Sequence, residues 1–316
     1  SGSRLMPLGA VKVGLFAAAG SGGGATGAGY FCGGYNGSDL TTVDKFAFSD
    51  DSRTTLGTGL SAARRNLAGF ANAGTAGYVG GGNSGLTTVN KFAFIDDSRT
   101  TLGTGLSSAR YALGGMANSG VAGYFGGGFV PWVGNATTVD KFDFSDDSRS
   151  TLGTGLTAAI QRLAAMANSG TAGYFGGGST GSYVTTVDKF DFSDDSRSTL
   201  GTGLSAATYA IAAMANSGTA GYFGGGYVAG YVSTVDKFAF SDDSRSTLGT
   251  GLSAARHSLA GMANSGTAGY FGGGTTGSYV TTVDKFAFSD DSRSTLGTGL
   301  SGTRDRLAAF ADTSGL

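Results

Sequence analysis

The chain has 316 residues, with 60 glycines, two prolines and a net charge of −1. The scarcity of proline excludes a collagen-like chain, and the 40% hydrophobic content is too high for a disordered glycine-rich linker. The sequence has no basic block that could displace counterions from nucleic acid, and no apolar run reaches the roughly 18 residues of a membrane span. We therefore expect neither a nucleic-acid partner nor membrane insertion.

The first 24 residues precede the repeated part of the sequence. They contain Arg4, Lys12 and a short apolar patch over residues 13–19, which together make a poor signal peptide. We expect residues 1–24 to form an N-terminal arm that could meet a partner, and residues 25–316 to form one repeat domain. The single cysteine, Cys32, cannot form an intramolecular disulfide and is expected to be a packed small residue.

The strongest feature of the sequence is a repeat with a period of about 48 residues. Residues 42–60 contain Thr-Val-Asp-Lys-Phe, then Asp-Asp-Ser-Arg, then Thr-Leu-Gly-Thr-Gly-Leu, and this stretch returns five more times. The valines that open the copies are Val43, Val89, Val139, Val187, Val235 and Val283.

Each unit predicts four short strands, which we name a, b, c and d. In the unit at residues 163–208, strand a covers 163–168, strand b 171–175, strand c 185–192 and strand d 197–204. Loops of two to eight residues suit antiparallel hairpins and leave no room for crossover helices. Four strands per unit around a ring predict an all-β fold, a six-bladed β-propeller with four antiparallel strands per blade.

Strand a has seven candidate copies for six blades. They begin near Leu15, Leu67, Leu113, Leu163, Ile211, Leu259 and Leu307. The last copy, residues 307–312, closely matches residues 67–72, whereas extra glycines at 22–24 break the spacing after the first copy. We predict that the C-terminal copy closes the ring as strand a of the first blade.

The order of these motifs resembles the kelch repeat over nearly the whole chain. Gly176-Gly177 resembles the kelch double glycine, Phe142 or Phe190 takes the place of the kelch Tyr, and four arginines fall near the blade-end arginine. These are Arg64, Arg110, Arg256 and Arg304. Near the usual kelch Trp this chain has Arg149, Arg197 and their equivalents, so we expect the blades to pack differently there.

Near-identical glycine-rich blades also resemble, more loosely, virion structural or fibre proteins of tailed phages, including phages of cyanobacteria. That resemblance implies host recognition, a virion or extracellular surface location, and assembly into a virion or a homo-oligomer.

The repeated charged turns have two interpretations. Asp50-Asp51 and its five equivalents offer oxygen ligands for Ca²⁺, but a calcium site needs about six to eight oxygens from a folded loop. We favour an Asx-type turn in which the following Arg pairs with an Asp. For Asp-Lys in strand c, such as Asp44-Lys45, we favour an ion pair that ties blades together.

No group of residues indicates catalysis, a metal or a cofactor. The glycine runs lack the Gly-Lys-Ser/Thr of a phosphate loop, and we expect these glycines to let strands approach closely. His257 is the only histidine, which excludes a copper oxidase of the galactose oxidase kind and leaves a Ser-His-Asp triad improbable. Only Asp39 and Asp305 are expected near the loops discussed next, so a polysaccharide lyase or hydrolase is the weaker alternative.

Variation between the copies is confined to one face of the predicted ring. Strand directions alternate within a blade, so the b–c and d–a connections emerge on one face, here named the variable face. The a–b and c–d turns, which barely vary, emerge on the opposite turn face. The residues expected to bind a ligand on the variable face are Tyr35, Asn36, Arg65, Tyr111, Phe129, Trp132, Arg162, Tyr183, Tyr209, Tyr227, Tyr231, His257 and Tyr279.

A rigid scaffold with variable loops on one rim is typical of binding proteins, and aromatic rings beside Asn, Ser and Arg suit sugars or polar peptides. We therefore expect a non-enzymatic module that binds a cell-surface glycan or a protein partner. Trp132, in the longest loop, is the best single candidate, although it could instead plug the tunnel mouth. The alternatives are drift in unconstrained loops and a purely architectural subunit docked by the N-terminal arm.

Overall fold

A computed structural model describes residues 27–83 and 86–313. The N-terminal arm predicted at residues 1–24 lies outside the described residues. The described chain is all-β. Its strands, in chain order through the first three blades, are β1 (Ala28–Cys32), β2 (Val43–Ala47), β3 (Arg53–Thr55), β4 (Ala68–Asn72), β5 (Ala76–Gly80), β6 (Val89–Ala93), β7 (Arg99–Thr101), β8 (Gly114–Asn118), β9 (Ala122–Gly126), β10 (Phe129–Val130), β11 (Gly134–Asn135), β12 (Val139–Asp143) and β13 (Arg149–Thr151).

The remaining strands repeat the same pattern. They are β14 (Ala164–Asn168), β15 (Ala172–Gly176), β16 (Val187–Asp191), β17 (Arg197–Thr199), β18 (Ala212–Asn216), β19 (Ala220–Gly224), β20 (Val235–Ala239), β21 (Arg245–Thr247), β22 (Ala260–Asn264), β23 (Ala268–Gly272), β24 (Val283–Ala287), β25 (Arg293–Thr295) and β26 (Ala308–Asp312).

Six four-stranded antiparallel sheets form a propeller ring, as predicted. Blade 1 has the order β26-β1-β2-β3, and blades 2 to 6 follow along the chain. The C-terminal strand β26 pairs with β1, Tyr30 opposite Phe310, so the prediction that the last strand a closes the ring is confirmed. The inner strands β26, β4, β8, β14, β18 and β22 pack side by side around the axis.

The outermost strands are shorter than the sequence predicted. Residues 197–204 were expected to form one strand, but only Arg197–Thr199 does so. Beyond it the chain turns inward, and the Leu204 amide donates to the Thr185 carbonyl at 2.8 Å. Short, exposed edge strands limit edge-to-edge pairing between molecules.

Adjacent blades interlock through a phenylalanine that packs against a glycine. A Cβ added to the last glycine of strand b would lie only 2.5 to 2.7 Å from the next blade's Phe ring, as at Gly126 beside Phe175. This close approach is what the sequence predicted for these glycines. Blade 1 is the exception, because it has Cys32 at the glycine position and the next blade has Val79 at the Phe position. Cys32 is fully buried in that core, which confirms that it is a packed small residue.

The Asp-Asp turns hold neighbouring blades together. The first Asp forms an Asx turn, as when Asp146 accepts the Ser148 amide at 2.9 Å. The second Asp accepts bonds from the preceding blade: Asp147 accepts the Tyr78 hydroxyl at 2.8 Å and pairs with Lys91 at 2.7 Å. The Lys–Asp contact between blades recurs six times and closes the ring, so the expected ion pair between blades is confirmed.

One detail of the turn prediction was wrong. The Arg that follows Asp-Asp does not pair with the turn carboxylates, because the first accepts an amide of its own turn and the second binds the neighbouring blade. Arg149 instead lies 3.7 Å from Asp140 of strand c, and Arg197 lies at the same distance from Asp188.

Four arginines are buried just beneath the variable face, in the d–a segments. Arg110 Nη2 lies 2.8 Å from Asp140 Oδ2 in blade 3, and Arg256 and Arg304 make the corresponding contacts to Asp284 and Asp44. In blade 2, Arg64 instead donates to Asn90 at 2.6 Å. With no acid as its partner, burial lowers the pKa of Arg64 to about 10. Each of these arginines anchors the segment that enters the next blade.

Candidate functional site on the variable face

The b–c loops and the d–a segments meet on one face and pair with each other. The first loop residue and the middle residue of the d–a segment exchange two backbone hydrogen bonds in five blades, as between Tyr227 and Tyr209 at 3.0 and 3.2 Å. The two glycines that precede this residue have positive φ, 66° for Gly225 and 106° for Gly226, which glycine adopts without strain. The repeated glycines therefore turn each loop back onto the segment beside it.

Five predicted residues form a continuous cluster over blades 4 to 6, here named the aromatic arc. Its members are Tyr183, Tyr209, Tyr227, Tyr231 and His257. Tyr183 stacks on Tyr209 with ring centroids 4.4 Å apart, Tyr209 contacts Tyr227 at 5.5 Å, and Tyr231 lies 4.9 Å from His257. Tyr183 and Tyr231 are each 38% exposed, so the arc presents rings to solvent at both ends.

A second group, here named the arginine corner, lies where blade 6 meets blade 1. Tyr35 contacts the edge of Tyr279 at 5.8 Å, and the guanidinium of Arg65 lies 4.3 Å from the Tyr35 ring centroid. Arg65 also pairs with Asp39 at 3.1 Å. Arg306 approaches the same Tyr35 ring at 5.7 Å.

The other predicted residues lie apart from these groups. Tyr111 and Phe129 contact each other at 5.3 Å, at the base of the β10–β11 hairpin of blade 3. Trp132, at the tip of that hairpin, is fully exposed with φ 66°, so it does not plug the tunnel mouth. Asn36 is exposed, and its side-chain oxygen accepts the Ser38 amide of its own loop at 3.4 Å.

A concavity of about 570 Å³ joins the aromatic arc to the arginine corner. Tyr231 and His257 line one side, and Tyr279, Asp305 and Arg306 line the other. Thr275, Gly277, Ser278 and Thr303 complete the wall. Rings beside hydroxyl, imidazole, carboxylate and guanidinium groups give this concavity both stacking surfaces and hydrogen-bonding groups.

Two titratable groups in the concavity are perturbed by burial. Asp305 is buried, neither of its carboxylate oxygens accepts a hydrogen bond, and Arg306 Nε approaches only to 3.6 Å. Burial raises the pKa of Asp305 to about 6, against the opposing charges of nearby arginines. Burial, assisted by Arg306 and Arg162, lowers the pKa of His257 to about 4, so the imidazole is neutral at pH 7.

The tunnel mouth is closed by a ring of six backbone hydrogen bonds. The residue two positions before the inner strand of each blade donates its amide to the matching carbonyl of the preceding blade at 2.7 to 2.9 Å. The six residues, all with positive φ, are Asn66, Ala112, Arg162, Ala210, Ser258 and Arg306. A layer of aliphatic side chains beneath them, Leu163 and its equivalents, leaves an axial cavity of only about 70 Å³. The predicted Arg162 is therefore at the axis, with its guanidinium 5.4 Å from the Tyr209 ring centroid.

Within the described ranges, no group of three or more His, Cys, Asp or Glu side chains could hold a metal ion. Burial also raises the pKa of the Cys32 thiol, which keeps it protonated. Residues 27–83 and 86–313 contain no helix long and apolar enough to cross a membrane.

Sequence reasoning placed Asp305 on this face but omitted Arg306, Thr275 and Ser278 from the candidate residues. These residues could have been found from the pairing between the loops and the d–a segments. The first residue of each loop pairs with the middle of a d–a segment, as Tyr35 pairs with Asp305 and Thr275 with His257. That pairing specifies which loop residues share a wall.

Comparison of the sequence with protein-family models and with curated protein sequences finds no match.

Proposed function

We propose that the chain is a non-enzymatic recognition module that binds glycan through the variable face. The observation that carries this proposal is the aromatic arc, because partly exposed tyrosines beside a polar concavity suit the apolar faces and hydroxyl groups of sugars. The loose resemblance to phage fibre proteins supports display on a virion or cell surface.

The buried carboxylate of Asp305 adds a chemical reason for a sugar ligand. Both of its oxygens lack a hydrogen-bond donor, and a buried acceptor without a donor is unfavourable. Both oxygens are buried in the unbound protein, so sugar hydroxyls would supply the missing donors only if the wall of the concavity opened on binding.

The proposal is tested by screening the purified protein on a glycan array and on host-envelope preparations. Tyr183→Ala and Tyr231→Ala should each reduce affinity by about tenfold, because each removes an exposed stacking surface of the arc. Ile95→Ala is the matched control, since Ile95 is 94% exposed on the turn face and should not affect binding. Binding of envelope protein alone, with no glycan bound, would contradict the sugar assignment.

Trp132→Ala examines the hairpin separately. Trp132 and Val133 are exposed at the tip of the blade 3 hairpin, whereas the aromatic arc lies over blades 4 to 6. Loss of assembly without loss of glycan binding would support the architectural alternative for this hairpin. Deletion of residues 1–24 tests whether the N-terminal arm docks the ring.

A polysaccharide-active enzyme is the second candidate, favoured only by Asp305, whose pKa of about 6 suits a general acid. Hydrolysis commonly uses two carboxyl groups, and the remaining acid of this corner, Asp39, is paired with Arg65. Prolonged incubation with glycans that bind, followed by mass spectrometry of the products, distinguishes cleavage from binding.

A further inference from the structure

We infer that the tunnel mouth binds an acidic sugar, with the ligand's carboxylate held between Arg162 and Arg306. This inference rests on the proposed glycan binding and specifies the class of glycan. It uses the axial ring and its charges rather than the exposed rings of the arc.

The first argument is position. Arg162 belongs to blade 4 and Arg306 to blade 1, three steps apart in a closed ring of six hydrogen-bonded residues. Members three steps apart lie on opposite sides of the ring. Both residues line the same axial cavity.

The second argument is charge. The charged side chains around the mouth are Arg65, Arg162 and Arg306, against Asp39 and Asp305. Arg65 pairs with Asp39 at 3.1 Å, and Arg306 lies 3.6 Å from Asp305. Arg162 has no acid within salt-bridge distance in the described part of the chain, and its guanidinium lies over the Tyr209 ring. The mouth therefore carries one positive charge in excess, which favours an anion.

The third argument is how the two guanidinium groups are held. The Tyr209 ring supports Arg162 at 5.4 Å, and the Tyr35 ring supports Arg306 at 5.7 Å. Stacking on an aromatic face leaves the planar N–H donors of a guanidinium free for a carboxylate. The other four members of the ring, Asn66, Ala112, Ala210 and Ser258, bring no charge that would compete.

The same ligand satisfies the neighbouring groups. Arg306 lines both the axial cavity and the concavity of about 570 Å³, so the two spaces adjoin at this residue. A sugar with its carboxylate at the axis would extend into this concavity and present a ring face to the aromatic arc. A sulfate ester would offer charge of the same sign but not the planar, two-oxygen shape.

The test is calorimetric titration with a panel of uronate- and sialate-terminated oligosaccharides, each beside its methyl ester. The ester keeps the sugar and removes the charge. We expect the free acid to bind at least about tenfold more tightly than the ester. Arg162→Asn and Arg306→Asn should each abolish that preference, and asparagine suits the site because Asn66 occupies the same ring position with φ 56°.

Arg99→Asn is the charge-matched control, because Arg99 lies on the outer strand of blade 2, where its side chain donates to Thr101 at 3.2 Å. It should leave the preference for the acid unchanged. Equal binding of acid and ester, a preference that survives both axial replacements, or tighter binding of a matched sulfated oligosaccharide would each overturn the assignment. If neutral glycans bind through Tyr183 while no acid is preferred, the acidic-sugar assignment fails and the proposed function stands. If no glycan binds, both fail.

Discussion

Blades 1, 2, 3 and 6 support the variable face in one way, and blades 4 and 5 in another. The first group places an arginine under the face, whereas blades 4 and 5 have Ile160 and Thr208 at the same position. In blade 2, Arg64 donates to the carbonyls of Gly81 and Thr88 and to Asn90.

The matching acceptor positions of blades 4 and 5 line small cavities. In blade 4 these are Gly177, Thr186 and Asp188, around a space of about 60 Å³, and in blade 5 they surround about 50 Å³. These cavities therefore lie where an arginine guanidinium lies in the other four blades, and we name them the vacated sites. The strand c carboxylates beside them lack the buried arginine and keep hydroxyl and amide donors, such as those of Thr157 to Asp188, and an arginine of strand d, Arg197 at 3.7 Å or Arg245 at 3.6 Å.

The aromatic arc lies mostly over the two blades that lack this buried arginine. The two blades without a buried arginine carry Tyr183, Tyr209, Tyr227 and Tyr231, four of the five members of the aromatic arc. A buried arginine that donates to several backbone carbonyls fixes a loop rigidly, and its loss leaves room for loop adjustment. The part of the face proposed to bind glycan is thus the part with the fewest buried anchors.

The largest expected effect comes from removing an arginine where the scaffold depends on it. Arg110→Ala would leave Asp140 fully buried without its 2.8 Å partner, and breaking such a pair costs about 3–5 kcal/mol. Thr208→Ala at the same position of blade 5 leaves no charge unpaired and should cost about 1 kcal/mol or less. Urea unfolding of both variants measures the difference. Similar losses would show that the two groups of blades are equivalent.

A second effect concerns Asp305, a buried carboxylate with neither a guanidinium nor a hydroxyl hydrogen bond. Because burial raises its pKa in the folded state to about 6, above the value of about 3.9 for the unfolded chain, ionisation destabilises the fold above pH 6. That penalty disappears as the pH falls from about 6 to 4. Asp305→Asn should stabilise the protein by about 1–2 kcal/mol at pH 7 and bring no gain at pH 4.

Thermal unfolding of the wild type and Asp305→Asn between pH 4 and 7 measures this difference. Asp305→Ala removes the same carboxylate without adding an amide, so both variants should lose the same pH-dependent contribution. A gap between wild type and variants that stays constant across this range would contradict the assignment of the raised pKa to Asp305.

The sequence was sufficient to predict the ring, because one period with four strands per unit permits few closed arrangements. It also predicted the role of Lys45 between blades, since a charge repeated in every copy has the same neighbour in every copy. It mispredicted the partner of Arg149, because strand c and the next blade's turn approach only in the folded ring. The sequence also did not predict that Cys32 packs in one core with Val79, because these two departures from the Gly–Phe pattern lie in different units.

The candidate site was predictable as a face but not as a set of contacts. Tyr183 and Tyr209 were both named from their variation, yet their stacking depends on the bridge between a loop and the segment before the next blade. Asp305 was noted only as an acid on the face, because its burial and its lack of donors follow from side chains of two blades. Trp132 attracted attention as the only tryptophan, but its position at a hairpin tip separates it from the arc.

The smallest effect tests whether a vacated site accepts its arginine again. Thr208→Arg would place a guanidinium in the cavity of about 50 Å³ in blade 5, beside the carboxylate of Asp236 and the carbonyls of Gly225 and Thr234. Asp236 is only 4% exposed, so the free-energy cost of removing its carboxylate from water is present without the arginine. The new ion pair should therefore stabilise the fold by about 1 kcal/mol. The measurement is the urea midpoint beside that of Thr208→Met, which fills a similar volume without a charge.

The same variant also tests the link between the missing arginine and the surface. The cavity under blade 5 is proposed to let Tyr209 and Tyr227 adjust to a glycan. In that case Thr208→Arg should weaken glycan binding a few-fold while it raises stability. Thr208→Met should change neither quantity. A stabilised variant with unchanged affinity would show that the vacated sites are only gaps in the packing. Loss of stability would show that the loop of blade 5 has already closed over the position that the guanidinium needs.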